Sequence, residues 1–178
     1  MQRVTTALLL LVMLAATLAW GQAAPAMPKP GPEHQRLHYF AGTWHDEGTM
    51  QPSPMGPGGK MTATENNQML GDFFLTMHSE GTGPMGPMKE MAAMGYDPKT
   101  KTYSYDGFNS MGMHETAKGT VSGKTWTWTN EEEMGGKKMK MRFVIQEVSP
   151  TSYTYKGDMS ADGKTWTTTM EGKATKAK

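Results

Sequence analysis

The sequence predicts an all-β protein, an antiparallel up-and-down barrel of about ten strands with a short N-terminal capping helix. Three observations lead to this fold class. From Thr43 onward, polar and apolar residues alternate with a period of two and are rich in β-branched and aromatic types. Turn signals such as Asp97-Pro98 and Asp162-Gly163 recur about every ten residues and separate strand-like runs. The chain contains no cysteine, so its fold must be stabilised by the core alone.

The helix is predicted over Pro32 to Phe40 (PEHQRLHYF), just before the first strand. Leu37 and Phe40 would both face the strands. We therefore expect this helix to cap one end of the barrel.

Strand limits follow from the alternation and the turn signals. The predicted strands are 43–50, 60–68, 72–80, 88–96, 101–108, 112–121, 124–131, 138–148, 152–159 and 164–173. Trp126 and Trp128 share one face of their strand, while threonines occupy the other. Many sequential antiparallel strands hide their edges most simply by closing into a barrel.

The N-terminus, residues 1–23, predicts a secretory signal peptide. One arginine precedes an apolar run from Ala7 to about Trp20, which is short for a membrane span and is followed by small residues. An uncleaved anchor is the alternative, because Trp20 would also suit a membrane interface. Residues 24–32 (APAMPKPGP) are predicted to be an extended Pro-rich leader, and residues 33–176 are predicted to form the barrel domain. We expect a periplasmic or secreted protein without stable membrane insertion after signal cleavage.

The charge balance argues against large anionic partners. The formal net charge is +1 at pH 7, and loss of Arg3 with the signal peptide brings it to 0 (+1 − 1). Such a chain has no basic field that would favour nucleic acid or anionic lipid. No feature of the sequence indicates an oligomeric state.

Two stretches resemble known proteins. The short helix followed by AGTW at 41–44 resembles the opening of calycin barrels, the lipocalin and fatty-acid-binding group. This resemblance implies that Trp44 packs across the closed barrel end, often beneath an arginine of the last strand. This chain offers Lys173 or Lys176 there.

The second resemblance is more extensive. The order of GYDPKTKTYSYDGFNSMG (95–112), GTVSG (119–123) and RFV (142–144) closely resembles the bacterial family called domain of unknown function 1579, from about Gln35 to Lys176. That family is similar to lipocalins. The resemblance implies a small β-barrel and supplies no catalytic residue.

The chain has 19 methionines, which raises the possibility of a Cu(I) site. Thioethers and imidazoles are ligands that Cu(I) accepts. Met85, Met88, Met91 and Met94 are spaced by three, so on a strand they would alternate between faces. A copper site therefore requires Gly83 to Met88 to be a flexible loop. Its candidate ligands are Met85, Met88, His78 and His114. The alternative is that methionine fills an irregular barrel interior.

Catalytic motifs are missing from the sequence. It contains no Gly-x-Ser-x-Gly elbow, phosphate loop or dinucleotide fingerprint. Glu115 follows His114, but neighbours on a strand face opposite ways. The run Glu131 to Glu133 is predicted to be a solvated hairpin tip. We therefore expect a protein that is not an enzyme and has no cofactor, copper being the alternative.

The function that this pattern favours is binding of a small hydrophobic or amphiphilic molecule inside the barrel. Barrels of this size either fill their interior with side chains or hold one small ligand. The candidate lining residues are Trp126, Trp128, Met139, Met141, Phe143, Tyr153, Tyr155 and Trp166, with Trp44 closing the end. The alternative is a structural or stress-related barrel whose core is filled by these same side chains.

Overall fold

The computed structural model describes residues 28–53 and 56–178. The predicted signal peptide (1–23) and the first part of the leader lie outside the described residues. A short helix, α1 (Pro32–Arg36), continues into a 3₁₀ turn (Leu37–Phe40). The strands are β1 (Gly42–Met50), β2 (Gly59–Leu70), β3 (Phe74–Gly83), β4 (Gly86–Asp97), β5 (Thr102–Asn109), β6 (His114–Ser122), β7 (Thr125–Met134), β8 (Lys137–Ser149), β9 (Ser152–Ser160) and β10 (Thr167–Lys176).

The ten strands form a closed barrel in which each strand pairs antiparallel with its neighbours in sequence. β1 pairs with β2 on one side and with β10 on the other, and Trp44 lies opposite both Glu65 and Lys176. The predicted fold class, strand number and capping helix are therefore confirmed. In the described part of the chain, no helix is long and apolar enough to cross a membrane.

Most strand limits differ from the predicted ones by one to three residues, and local turn chemistry explains two of these differences. β4 begins at Gly86, because Pro84 and Met85 form a tight turn between the paired residues Gly83 and Gly86. β10 begins at Thr167 and not at 164. The carboxylate of Asp162 accepts hydrogen bonds from the next residues' backbone N–H groups, which holds that segment in a turn.

The N-terminal helix and the 3₁₀ turn close one end of the barrel. Leu37 and Phe40 are buried against Trp44, which is 0% exposed and donates from Nε1 to the Phe40 carbonyl at 2.8 Å. Lys176 lies over the Trp44 ring, with Nζ 5.2 Å from the ring centroid. Lys176 of the last strand thus occupies the position over Trp44 where the calycin resemblance implies a basic residue. We call this assembly the plug.

Polar contacts fix the plug to strands that are distant in sequence. Arg36 donates to the Gly123 carbonyl at 2.8 Å and to Glu147 at 3.3 Å. The Tyr39 hydroxyl lies 2.9 Å and 2.8 Å from the carbonyl oxygens of Ser149 and Ser152. The closed end therefore carries the β6–β7 and β8–β9 turns, and the opposite end carries the β3–β4 and β7–β8 turns.

Two glycines allow a tyrosine side chain to lie close against the inner side of the barrel wall. Gly48 and Gly172 lie opposite each other on β1 and β10, and a Cβ atom at either position would overlap the Tyr155 hydroxyl. Because both side chains are absent, that hydroxyl reaches Asp46 and donates to its carboxylate at 2.6 Å. Tyr155 and Asp46 therefore meet inside the barrel, about midway along β1.

Candidate functional site in the open half of the barrel

Burial divides the barrel interior into two halves. Near the plug, the inward-facing Leu75, Trp126 and Ala174 are 0% exposed. Toward the opposite end, most inward-facing side chains are only partly buried, so solvent reaches them, whereas Met159 is 6% exposed. We call this open half the cup. Its wall carries the thioethers of Met61, Met88, Met139, Met141 and Met170.

Aromatic rings form the floor of the cup. Trp128 is 4% exposed and stacks on Trp126 of the closed half, with ring centroids 6.3 Å apart. Phe143 stacks on Tyr155 at 5.5 Å. The benzo edge of Trp128 lies over Gly119 of β6, so its Nε1 lies on the side of the ring away from that residue. That Nε1 is buried and has no hydrogen-bond partner among the described residues.

The structure distributes the eight predicted lining residues over three environments. Met139, Met141 and Phe143 face the cup, and Trp128 and Tyr155 form its floor. Trp126 and Tyr153 pack against Phe40 as part of the closed half. These two side chains are placed inside the barrel, as predicted, but they fill its core and do not face the cup.

Trp166 does not face the interior, and this expectation was wrong. The residue precedes β10, and the Arg142 guanidinium lies over its ring at 4.1 Å. Arg142 alternates with the inward-facing Met141 and Phe143 and therefore points outward. Trp166 and Met170 are four residues apart but do not share a face, because the β9–β10 register shifts between Thr168 and Met170.

Asp158 holds Arg142 in place on the outer face, and its replacement is expected to lower the stability of the fold moderately. Its buried carboxylate accepts from Arg142 at 2.8 Å and from Thr168 at 3.0 Å. Burial acts against ionisation, but these bonds and Lys156 hold the pKa of Asp158 below its usual value. We expect Asp158→Asn to lower the free energy of unfolding by about 1–2 kcal/mol at pH 7, measured with urea. No loss at pH 7 would contradict this role.

The four candidate copper ligands are not brought together. Met85 lies in the β3–β4 turn and is exposed, whereas Met88 lies within β4 and faces inward, so the predicted loop is wrong. His78 and His114 lie on the outer face, where His114 pairs with Asp106 at 2.9 Å. Among the described residues, no three His, Asp or Glu side chains are arranged to hold a metal ion.

Five carboxylates line the middle and the open half of the barrel interior, and sequence reasoning missed them as a group. We call them the inner acidic row: Asp46 on β1, Glu65 on β2, Glu90 on β4, Glu115 on β6 and Glu132 on β7. The period-two pattern of the sequence did indicate them, because each carboxylate lies an even number of positions from a buried residue on its own strand and therefore faces the same side. Glu132 follows Trp128 by four positions, so the predicted solvated tip holds for Glu131 and Glu133 only.

Neutral donors hold most of this row in place. Tyr155 donates to Asp46, and Asn67 donates from Nδ2 to Glu65 at 3.0 Å. The Tyr105 hydroxyl donates to Glu90, and Asn130 donates to Glu132 at 2.9 Å. Glu115 accepts no hydrogen bond from any described side chain. None of the five carboxylates forms an ion pair with a described lysine, arginine or histidine.

Burial and mutual repulsion make this row resist ionisation. Burial raises the pKa of Asp46 to about 6 although the Tyr155 hydrogen bond acts in the opposite direction. Burial likewise raises the pKa of Glu65 to about 7, with repulsion from Asp46 and Glu90 added. The pKa of Glu115 is raised first by burial and then by repulsion. The interior is thus an acidic environment that favours protons or other positive charge.

Two grooves lie on the outer face of the barrel. The larger, of about 800 Å³, lies over β8, β9, β10, β1 and β2 and is lined chiefly by outward-facing side chains such as Lys60, Lys156 and Glu171. The smaller, of about 290 Å³, lies beside it over β1, β2 and β3. Both open on the outside of the barrel, although Met61 and Tyr155, which border the cup, also contribute to the larger groove.

Comparisons with known proteins agree with this fold. The crystal structure of Rv2717c from M. tuberculosis is similar, with a TM-score of 0.59 and 14% sequence identity, over 84% of this chain and 100% of that chain. A de novo designed fluorescence-activating β-barrel has a TM-score of 0.47 and 15% identity, over 80% of this chain and 98% of its own. At such identities the likeness to Rv2717c shows the fold alone. No curated protein sequence matches the chain.

The chain also matches the model of a protein family. The family described as Protein of unknown function (DUF1579) matches residues 29–176, which include the helix and all ten strands. Its description assigns no activity, so it indicates no catalytic residue. Because the match spans most of the chain, the protein belongs to the DUF1579 family.

Proposed function

We propose that this protein is an exported, non-catalytic carrier that binds one small apolar or amphiphilic molecule in the cup. The observation that carries the proposal is the contrast between a filled, sealed half and a half whose inward-facing side chains remain partly exposed. The N-terminal apolar run supports export. A barrel that is plugged at one end and open at the other has a single entrance, which suits reversible binding.

The side chains of the cup fit such a ligand. Thioethers are flexible and polarizable, so Met61, Met141 and Met170 can adapt to the shape of an apolar body. The rings of the floor supply contact area. The unpartnered N–H of Trp128 would donate to a polar atom of the ligand, which favours an amphiphile over a pure hydrocarbon.

The outer grooves are a less suitable place for an apolar molecule. Charged and hydroxyl side chains line them, and Lys173 and Glu47 form an exposed ion pair there at 3.7 Å. Water already solvates these groups, and an apolar molecule bound there would displace part of that solvation. The cup offers more buried apolar contact.

Titration with the neutral apolar probe N-phenyl-1-naphthylamine tests the proposal. We expect saturable binding of one equivalent, with enhanced probe emission and quenching of tryptophan emission. Ser79 faces the cup between Glu65 and Glu90, so Ser79→Phe should fill it and weaken binding at least tenfold.

The adjacent residue supplies a matched control. His78 lies on the outer face of the same strand, so His78→Phe adds the same ring outside the barrel and should leave binding unchanged. Absence of saturable binding to the unmodified protein would overturn the proposal. Equal loss in both variants would place the probe elsewhere and would also overturn it.

A further inference from the structure

We infer that the ligand of the cup is an organic cation, an amphiphilic amine that is protonated at neutral pH. The inference deepens the proposed function and rests on it. It starts from the inner acidic row, whose five carboxylates extend from the middle of the barrel toward its open rim.

This negative charge is not balanced inside the barrel. Along the inward-facing positions of the described strands, basic residues occur only near the ends, as Lys176 at the plug and Lys137 at the open rim. Lys137 is exposed, and Lys176 lies over Trp44. Neighbouring carboxylates of the row instead repel one another. Glu65, for example, is repelled by both Asp46 and Glu90. A positive ligand charge would relieve this repulsion.

The arrangement suits a molecular cation better than a metal ion. The five carboxylates come from five different strands, and none of them belongs to a cluster in the described chain that could chelate a metal. Small hard cations require several oxygens at about 2.0–2.6 Å from one point. Charges spread along a wall of thioethers and aromatic rings instead match a molecule with a charged group and an apolar body.

A buried acceptor provides an independent indication. Asn67 is 3% exposed and faces inward beside Glu65, to which its Nδ2 donates. The same Nδ2 also contacts the Phe40 carbonyl at 3.2 Å. Its Oδ1 is buried and has no hydrogen-bond partner among the described residues. Leaving such an acceptor unpaired is unfavourable, and an ammonium N–H would satisfy it.

These groups define where the charged nitrogen would lie. Glu65 and Glu90 both flank Ser79 across β3, and Glu115 follows Glu90 along the row. An ammonium group in this region would donate to Asn67 Oδ1 and to neighbouring carboxylates. The apolar body would then extend toward the thioethers near the rim. Recognition therefore requires N–H bonds as well as positive charge.

Three probes of equal chain length separate charge from apolar contact: n-octylamine, 1-octanol and octanoate. We expect isothermal titration calorimetry at pH 7.5 and low salt to show octylamine binding at least tenfold more tightly than octanol, and octanoate binding more weakly than both. Equal affinity for octylamine and octanol would overturn the cation inference and leave the carrier proposal intact. Failure of all three to bind would overturn both.

Variants test whether the inner acidic row causes the preference. In the double variant Glu65→Gln/Glu115→Gln, the preference for octylamine over octanol should fall at least fivefold. Glu133→Gln removes an outward-facing carboxylate of β7 and should retain the full preference. A preference that survives the double variant, or that Glu133→Gln abolishes, would overturn the inference.

Discussion

Replacement of Trp44 by alanine is expected to lower the free energy of unfolding by about 3–5 kcal/mol. The indole is fully buried between the 3₁₀ turn and the strands, and it donates to the Phe40 carbonyl. Truncation would leave a cavity and would also remove the surface on which Tyr39 and Tyr153 pack. Urea unfolding followed by circular dichroism measures the loss.

Trp166→Ala is the matched control for this change. It removes the same side chain from the outer face, where the main contact is with Arg142. A cation–π contact at a partly exposed site contributes about 0.5–1 kcal/mol, so the expected loss is of that order. An equal cost for the two variants would contradict the division between a sealed interior and an outer cluster.

The stability of the protein is expected to fall as the pH rises from about 4.5 to 7, and Glu65 should be the main cause. The folded state holds the Glu65 proton up to a pKa of about 7, whereas the ordinary value is 4.5. Between these values the folded state binds more protons than the unfolded state, so the free energy of unfolding decreases with pH. The difference corresponds to roughly 3 kcal/mol for Glu65 alone. Asp46, with a pKa of about 6, acts in the same direction.

Glu65→Gln isolates this contribution. The amide cannot ionise, so the variant should be more stable than the unmodified protein at pH 8 and should lose much of the dependence between pH 5 and 8. Melting temperatures over this pH range measure both effects. Glu133→Gln, on the outer face, should follow the unmodified protein at every pH. A parallel pH dependence in Glu65→Gln would show that other groups cause the decline.

The fold could be predicted because its signals are local. Alternation with a period of two and turn residues specified ten strands, and short antiparallel connections leave barrel closure as the natural result. Trp166 was misplaced because Asp162 organises a turn that ends before Thr167 and because a register shift follows. Such shifts depend on side-chain hydrogen bonds that alternation does not reveal.

The candidate site was predicted less well, because its members are polar. Hydrophobic patterning led to Met139, Met141 and Phe143, which do face the cup. It did not identify the inner acidic row. A single carboxylate at an inward position looks like an exception to the hydrophobic pattern, and the pattern of one strand does not show that neighbouring strands carry carboxylates too. Only the pairing of β1, β2, β3 and β4 in register places Asp46, Glu65 and Glu90 within range of one another.

The pairing of β1 with β10 has a consequence for folding during synthesis. Tyr39 bonds to carbonyls 110 and 113 positions away, and β1 cannot complete its ladder before the last strand is available. Contacts of such long sequence separation form slowly. The nascent chain must therefore carry two open strand edges until its C-terminus is released, and a truncation that removes β10 would leave β1 and β9 as permanent templates for aggregation.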